Sequence, residues 1–186
     1  MQILIIILVI VAILALVLVG SYNSLLGLKQ KVSEGSSDID VQLKRRYDLI
    51  PNLISTIKGA TKFESETLEK VIQARNQAQT VTGMGEDRQV AEAALTQNLR
   101  QVFALSESYP DLKASANFLE MQRELASTED KILASRRFYN QVVSDYNAMQ
   151  DQVPGVFVKA MAKCSPAKFF ELENPTEERK NVVVEF

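Results

Sequence analysis

Lys44-Arg45-Arg46-Tyr47-Asp48 interrupts an apolar helical seam, and Arg46 falls in phase with Ile39 and Leu53. That phase points the guanidinium inward, where an unpaired charge is costly and a carboxylate partner is needed. A later stretch offers partners, because Arg123, Glu124, Glu129, Asp130, Arg136 and Arg137 form a dense stripe of mixed charge. If the two longest helices run antiparallel in a register where paired residue numbers sum to about 170, Glu124 comes opposite Arg46. The same register sets Arg123 opposite Asp48 and Arg136 opposite Glu34. The expected polar network is therefore Arg46, Asp48, Arg123, Glu124, Glu129 and Arg136. It reads either as ion pairs that fix register between similar apolar rods or as a polar binding site between them. An Arg46→Met variant separates the two: intact folding with lost function favours a site, and loss of folding favours register.

Composition closes most routes to catalysis. The chain has no histidine and one cysteine, Cys164. Ser-His and Cys-His pairs, E-x-x-H di-iron helices and H-E-x-x-H zinc sites are therefore absent. Neither C-x-x-C nor G-x-x-x-x-G-K-[ST] occurs, which removes zinc ribbons and P-loops, and Gly83-Met84-Gly85 reads as a turn between helices. All-carboxylate Mg or Mn chemistry stays open on composition, but no pair of acids stands out for it. The expectation is a protein without catalytic residues, metal or cofactor. With 21 basic and 23 acidic residues in near balance, nothing argues for a nucleic-acid partner. Cys164 beside Lys163 reads as a small apolar filler, with lipidation or redox sensing as the alternative.

Location is the sharper signal. Ile3 to Val19 is an unbroken aliphatic run without a polar side chain, and every charged side chain follows it. On an insertion scale its Leu, Ile and Val residues each contribute roughly −0.3 to −0.6 kcal/mol, favouring bilayer over water. At ~1.5 Å per residue the run spans about 26 Å, and its flanks complete a ~30 Å hydrocarbon core. A cleaved signal wants a basic n-region and small residues before the cut, whereas Met1-Gln2 precedes the run and Leu18 sits three residues before a cut after Gly20. An uncleaved single-pass anchor over 1–21 is expected. Lys29 and Lys31 follow the run and nothing basic precedes it, which predicts the N-terminus outside and the remaining domain in the cytoplasm.

The elements that must position the network are helical by period. Leu25, Leu28, Val32, Ile39, Leu43, Ile50, Leu53 and Ile57 recur at threes and fours, while Phe118, Leu125, Ile132, Tyr139 and Tyr146 sit seven apart. Breaks are read at Lys58-Gly59 with a Thr61-x-x-Glu64 capping box, at Thr82–Gly85 before acidic Glu86-Asp87, at Ser108–Asp111 and at Pro154-Gly155. This predicts helices over 22–58, 62–80, 86–107 and 110–151. The fold class is all-α: a transmembrane helix, then an antiparallel up-and-down four-helix bundle over 22–151 with two long and two short helices, its seams coiled-coil-like. Pro51 then lies within the first long helix, costing a hydrogen bond and kinking it. Rival readings make 22–80 one helix or reverse the chain at Asp48–Pro51. Residues 152–186 form an amphipathic segment, lying on the bilayer or packed on the bundle base, and an extended tail ending in Val182–Phe186.

Specific motifs sharpen this reading. The stretches Ile39-Asp40-Val41-Gln42-Leu43-Lys44-Arg45-Arg46-Tyr47-Asp48-Leu49-Ile50-Pro51-Asn52-Leu53, Glu66–Val71, Ala74-Arg75 and Tyr109-Pro110-Asp111-Leu112-Lys113-Ala114 closely resemble the LemA family of bacterial membrane proteins. The likeness continues through Leu125–Ile132, Arg136-Arg137-Phe138-Tyr139-Asn140, Tyr146-Asn147 and the closing Val-Glu-Phe. The resemblance implies a helical bundle behind one anchor, a short N-terminus facing outward, and no established reaction. It also implies membrane-associated scaffolding, since relatives include a magnetosome-membrane protein and related genes often neighbour membrane zinc proteases. The functional expectation is a non-enzymatic scaffold or adaptor at the cytoplasmic face of the bacterial inner membrane. It would self-associate as a homo-oligomer, with membrane proteins such as a membrane protease as partners. The alternative is a ligand- or stress-sensing domain that uses the mixed-charge stripe.

Overall fold

The computed structural model describes residues 1–60 and 64–170. Among them every regular element is a helix: α1 (Gln2–Ala60), α2 (Ser65–Thr80), α3 (Glu86–Ser106), α4 (Pro110–Lys113), α5 (Ala116–Asp151) and α6 (Gly155–Val158). The tail ending in Val182–Phe186 and Thr61 of the capping box lie outside the described residues.

The apolar run and the first long helix are one element of 59 residues, not two. Nothing between Gly20 and Tyr22 stops a helix, since a single glycine costs only about 1 kcal/mol in a helix interior. The apolar end is fully exposed, and its 18-residue window has a mean hydropathy of 3.7, so this helix is long and apolar enough to cross a membrane. Pro51 lies inside α1, which sets aside a reversal at Asp48–Pro51, and the end at Ala60 sets aside one helix over 22–80.

The expected helix over 110–151 is divided. Pro110 opens the single turn of α4, where its missing N–H costs nothing. Ala114 and Ser115 then leave the helix, and the Ser115 carbonyl accepts the Leu119 N–H at 3.1 Å to start α5. Complete burial of Leu112 holds the short turn in place. Between α2 and α3 the chain turns at Gly83, whose φ of 85° is open to glycine at no steric cost.

Contacts divide the described chain into two compact units. In the unit of Met1–Ile39 and Ala134–Phe169, Leu25 is buried with Tyr146, Val158 and Ala162, and Tyr22, Leu26, Val32 and Met149 pack around them. Farther along α1, a Cβ added at Gly35 would stand 3.4 Å from the Tyr139 Cα. Residues 25 and 35 thus meet 146 and 139, so these stretches of α1 and α5 run antiparallel. Asn147 ties the chain after α6 by donating to the Ala167 carbonyl and accepting the Ala167 N–H, both at 2.9 Å.

The unit containing Asp40–Leu133 buries Leu43, Ile50, Leu53 and Ile57 of α1, Leu68 and Val71 of α2, Leu95 and Val102 of α3, and Phe118, Leu125 and Ile132 of α5. Each such side chain contributes roughly 1.5–3 kcal/mol of transfer free energy. Phe103 and Phe118 meet with ring centroids 6.1 Å apart. The three- and four-residue spacing in the sequence supplies this apolar face, and it also carries Arg46 inward.

Candidate functional site

Arg46 is 2 % exposed, and its guanidinium joins three helical segments of one unit. Nη2 pairs with Glu92 of α3. Nη1 donates to Glu129 Oε2 of α5 at 2.7 Å and to Thr96 Oγ1 at 3.1 Å. Glu92 is itself buried, and its other oxygen accepts the hydroxyl of Tyr47. Both carboxylate oxygens are therefore engaged, as burial of a charge requires. Burial first, then the hydrogen bond and negative charge of Glu92, hold the Tyr47 phenol well above the ordinary tyrosine range.

A second buried arginine extends the network along α3. Arg88 pairs with Asp40 Oδ1 at 2.5 Å and donates to the Gly83 carbonyl at 3.1 Å. Asp40 lies before Arg46 on α1 as Arg88 lies before Glu92 on α3, so these faces run in the same direction. The α2 contribution is to the backbone of α1. Arg75 Nε donates to the Tyr47 carbonyl at 2.8 Å. Pro51 has no N–H to offer that carbonyl four residues back, so an arginine from α2 replaces the lost helical bond.

The expected partners are redistributed. Glu124 pairs with Arg45 at 2.6 Å, not with Arg46, and both side chains are partly exposed. Asp48 pairs with Lys44 one turn earlier at 2.6 Å, in the open. Arg123 is exposed and has no ion pair among the described residues. Glu129 reaches Arg46, and Arg136 is half-buried on the stretch of α5 that packs with the first part of α1. Register arithmetic between two helices could not see Glu92, because it comes from a third. The overlooked signal was in α3, where Arg88 and Glu92 share the stripe of Leu95, Leu99 and Val102.

Beside the Arg46–Glu129 pair lies a cavity of about 220 Å³. Leu99, Phe103, Leu125 and Ala126 give it an apolar wall, and Arg100 stands at its edge. Among the described residues no three His, Cys, Asp or Glu side chains converge as metal ligands. At the other described unit, Cys164 Sγ lies 3.5 Å from the Ala162 carbonyl. Burial and a hydrogen bond with Cys164 push the Tyr146 phenol up to about 12.

Over the described residues these features define an all-helical protein, with an N-terminal helix long and apolar enough to cross a membrane and a buried Arg–Glu–Tyr network in one unit. The chain belongs to the LemA family, whose sequence model matches residues 35–186, a range that holds the whole network. It is similar to Protein LemA of Metamycoplasma hominis, 30% identical over 133 residues, which cover 71% of this chain. The chain matches 60% of that relative's length.

Proposed function

We propose that this chain is a single-pass, non-enzymatic scaffold of the bacterial inner membrane. Its bundle-like helical part self-associates and gathers membrane proteins at the cytoplasmic face. The observation that carries this reading is α1, whose exposed apolar end continues without a break into the helix holding Arg46. Confinement to a surface raises effective concentration, so weak contacts between copies suffice for assembly. The engagement of both Glu92 oxygens, by Arg46 and by Tyr47, fits a structural role better than a reactive one. Lys29 and Lys31 after the apolar run support an outward N-terminus. In-cell crosslinking is the test: a ladder of homo-oligomers with reproducible membrane partners is expected, and a strictly monomeric, partnerless species overturns the proposal.

The cavity beside Arg46 and Glu129 favours a second reading, a sensing domain for a small amphipathic ligand. A thermal-shift screen of anionic metabolites and lipids separates the two, because a true ligand raises the melting temperature by mass action.

A further inference from the structure

We infer that the segment from Val153 to Lys163 is a foot that seats on anionic lipid headgroups and inserts Phe157 and Met161 into the bilayer interface. The inference rests on the anchor reading above and adds a second, independent lipid contact. Its position comes from packing within one unit. Val158 and Ala162 are buried against Leu25, and Tyr22 and Leu26 pack on the same cluster. Leu25 is six residues past Val19, about 9 Å along a helix, so the foot lies at headgroup depth.

Among the described residues, its outer side is apolar without a cover. Val153, Phe157 and Met161 are 75%, 66% and 74% exposed, at four-residue spacing, while the adjoining Val158 and Ala162 are buried. Beyond the apolar run, nine large apolar residues are exposed among the described ones, and five of them fall between Val153 and Phe169. Scattered exposed apolar residues need no explanation, but this concentration beside a membrane anchor does.

Charge names the occupant. Lys159, Lys163 and Lys168 lie between Gln152 and Phe170 with no acidic residue among them, and Lys29 and Lys31 face no acid between Gly20 and Ser33. Lys159 has Asp151 at 3.3 Å, an exposed pair that water screens. Apolar side chains ringed by lysines match an anionic bilayer surface. The foot is also held in shape. Gly155 passes so close to the Met149 carbonyl that an added Cβ would stand 1.9 Å from its oxygen. Lys29 Nζ donates to the Lys163 carbonyl at 3.3 Å, and Tyr139 donates to the Lys168 carbonyl at 2.9 Å.

The chain has no tryptophan, so Phe157→Trp, Met161→Trp and a control Phe138→Trp each install a single probe. Phe138 is 50% exposed and lies 11 residues before Met149 on α5, about 16 Å from the foot. Full-length variants are reconstituted in phosphatidylcholine–phosphatidylglycerol vesicles whose acyl chains are brominated near the headgroup. Helical content by circular dichroism checks folding, and vesicle flotation reports the anchor separately. Blue-shifted emission, quenched about twofold or more beyond the control at both foot positions, is expected. Water-like, unquenched emission from floated protein overturns the foot while leaving the anchor standing. Blue-shifted emission that bromine does not quench, and that grows with protein density, assigns this face to a second copy and overturns it equally.

Discussion

Arg75 on α2 donates its Nε–H to the carbonyl of Tyr47 on α1, the one carbonyl that Pro51 deprives of its helical donor. A helix defect and its repair thus come from different elements, and the side chain of Tyr47 itself leads into the buried charge network. Arg75→Ala leaves a partly buried carbonyl without a donor and is expected to cost about 1–3 kcal/mol. In a Pro51→Ala background the helical N–H returns and the cost of losing Arg75 shrinks. Urea unfolding of the four proteins measures this, and strict additivity contradicts the repair.

Arg46 pairs with two carboxylates of the network, Glu92 and Glu129. Arg46→Met strands buried Glu92 without its cation and is expected to destabilise by about 3–5 kcal/mol. The double variant Arg46→Met with Glu92→Met removes both charges and should recover most of that loss. Asp48→Asn disturbs only the exposed Lys44 pair, so less than about 1 kcal/mol is expected. Chemical denaturation distinguishes these outcomes.

Alkali should weaken the fold through its phenols. The Tyr146 phenol holds its proton to about 12 in the folded chain, whereas an unfolded tyrosine ionises near ~10. The raised folded value means stability is complete below about pH 10 and falls as pH rises through about 12. Tyr47 and Tyr139 are raised in the same direction, both by burial first. Urea midpoints measured across this window should decline, and Tyr146→Phe should flatten the decline.

Gly155 and Gly27 call for opposite outcomes. Gly155→Ala drives a methyl into the Met149 carbonyl and should destabilise the base of α5 by about 1–3 kcal/mol. Gly27 lies inside α1 with open space around its Cβ position, so alanine there should stabilise by about 0.5–1 kcal/mol. Thermal melts of the two variants test the pair.

Helical period made the apolar seams legible: Leu25, Ile39, Leu43, Ile50, Leu53 and Ile57 are all buried, because one helix face needs only local sequence to be defined. The inward phase of Arg46 was legible for the same reason. Its partner was not, since Glu92 arrives on α3 and pairing between helices depends on packing that no single period encodes. The break at Ala114 and Ser115 escaped notice because two residues leaving the helix before Ala116 leave the seven-residue spacing that starts at Phe118 undisturbed. The continuity of α1 was hidden by a habit of dividing chains at a change of hydropathy, when a helix is stopped by backbone chemistry instead.

Permanent anchoring through α1 is tested most directly by the mass of the membrane-bound protein. Membranes washed at alkaline pH should retain a chain that still carries the apolar run from Ile3 to Val19. A soluble product lacking the residues up to about Gly20 would contradict it.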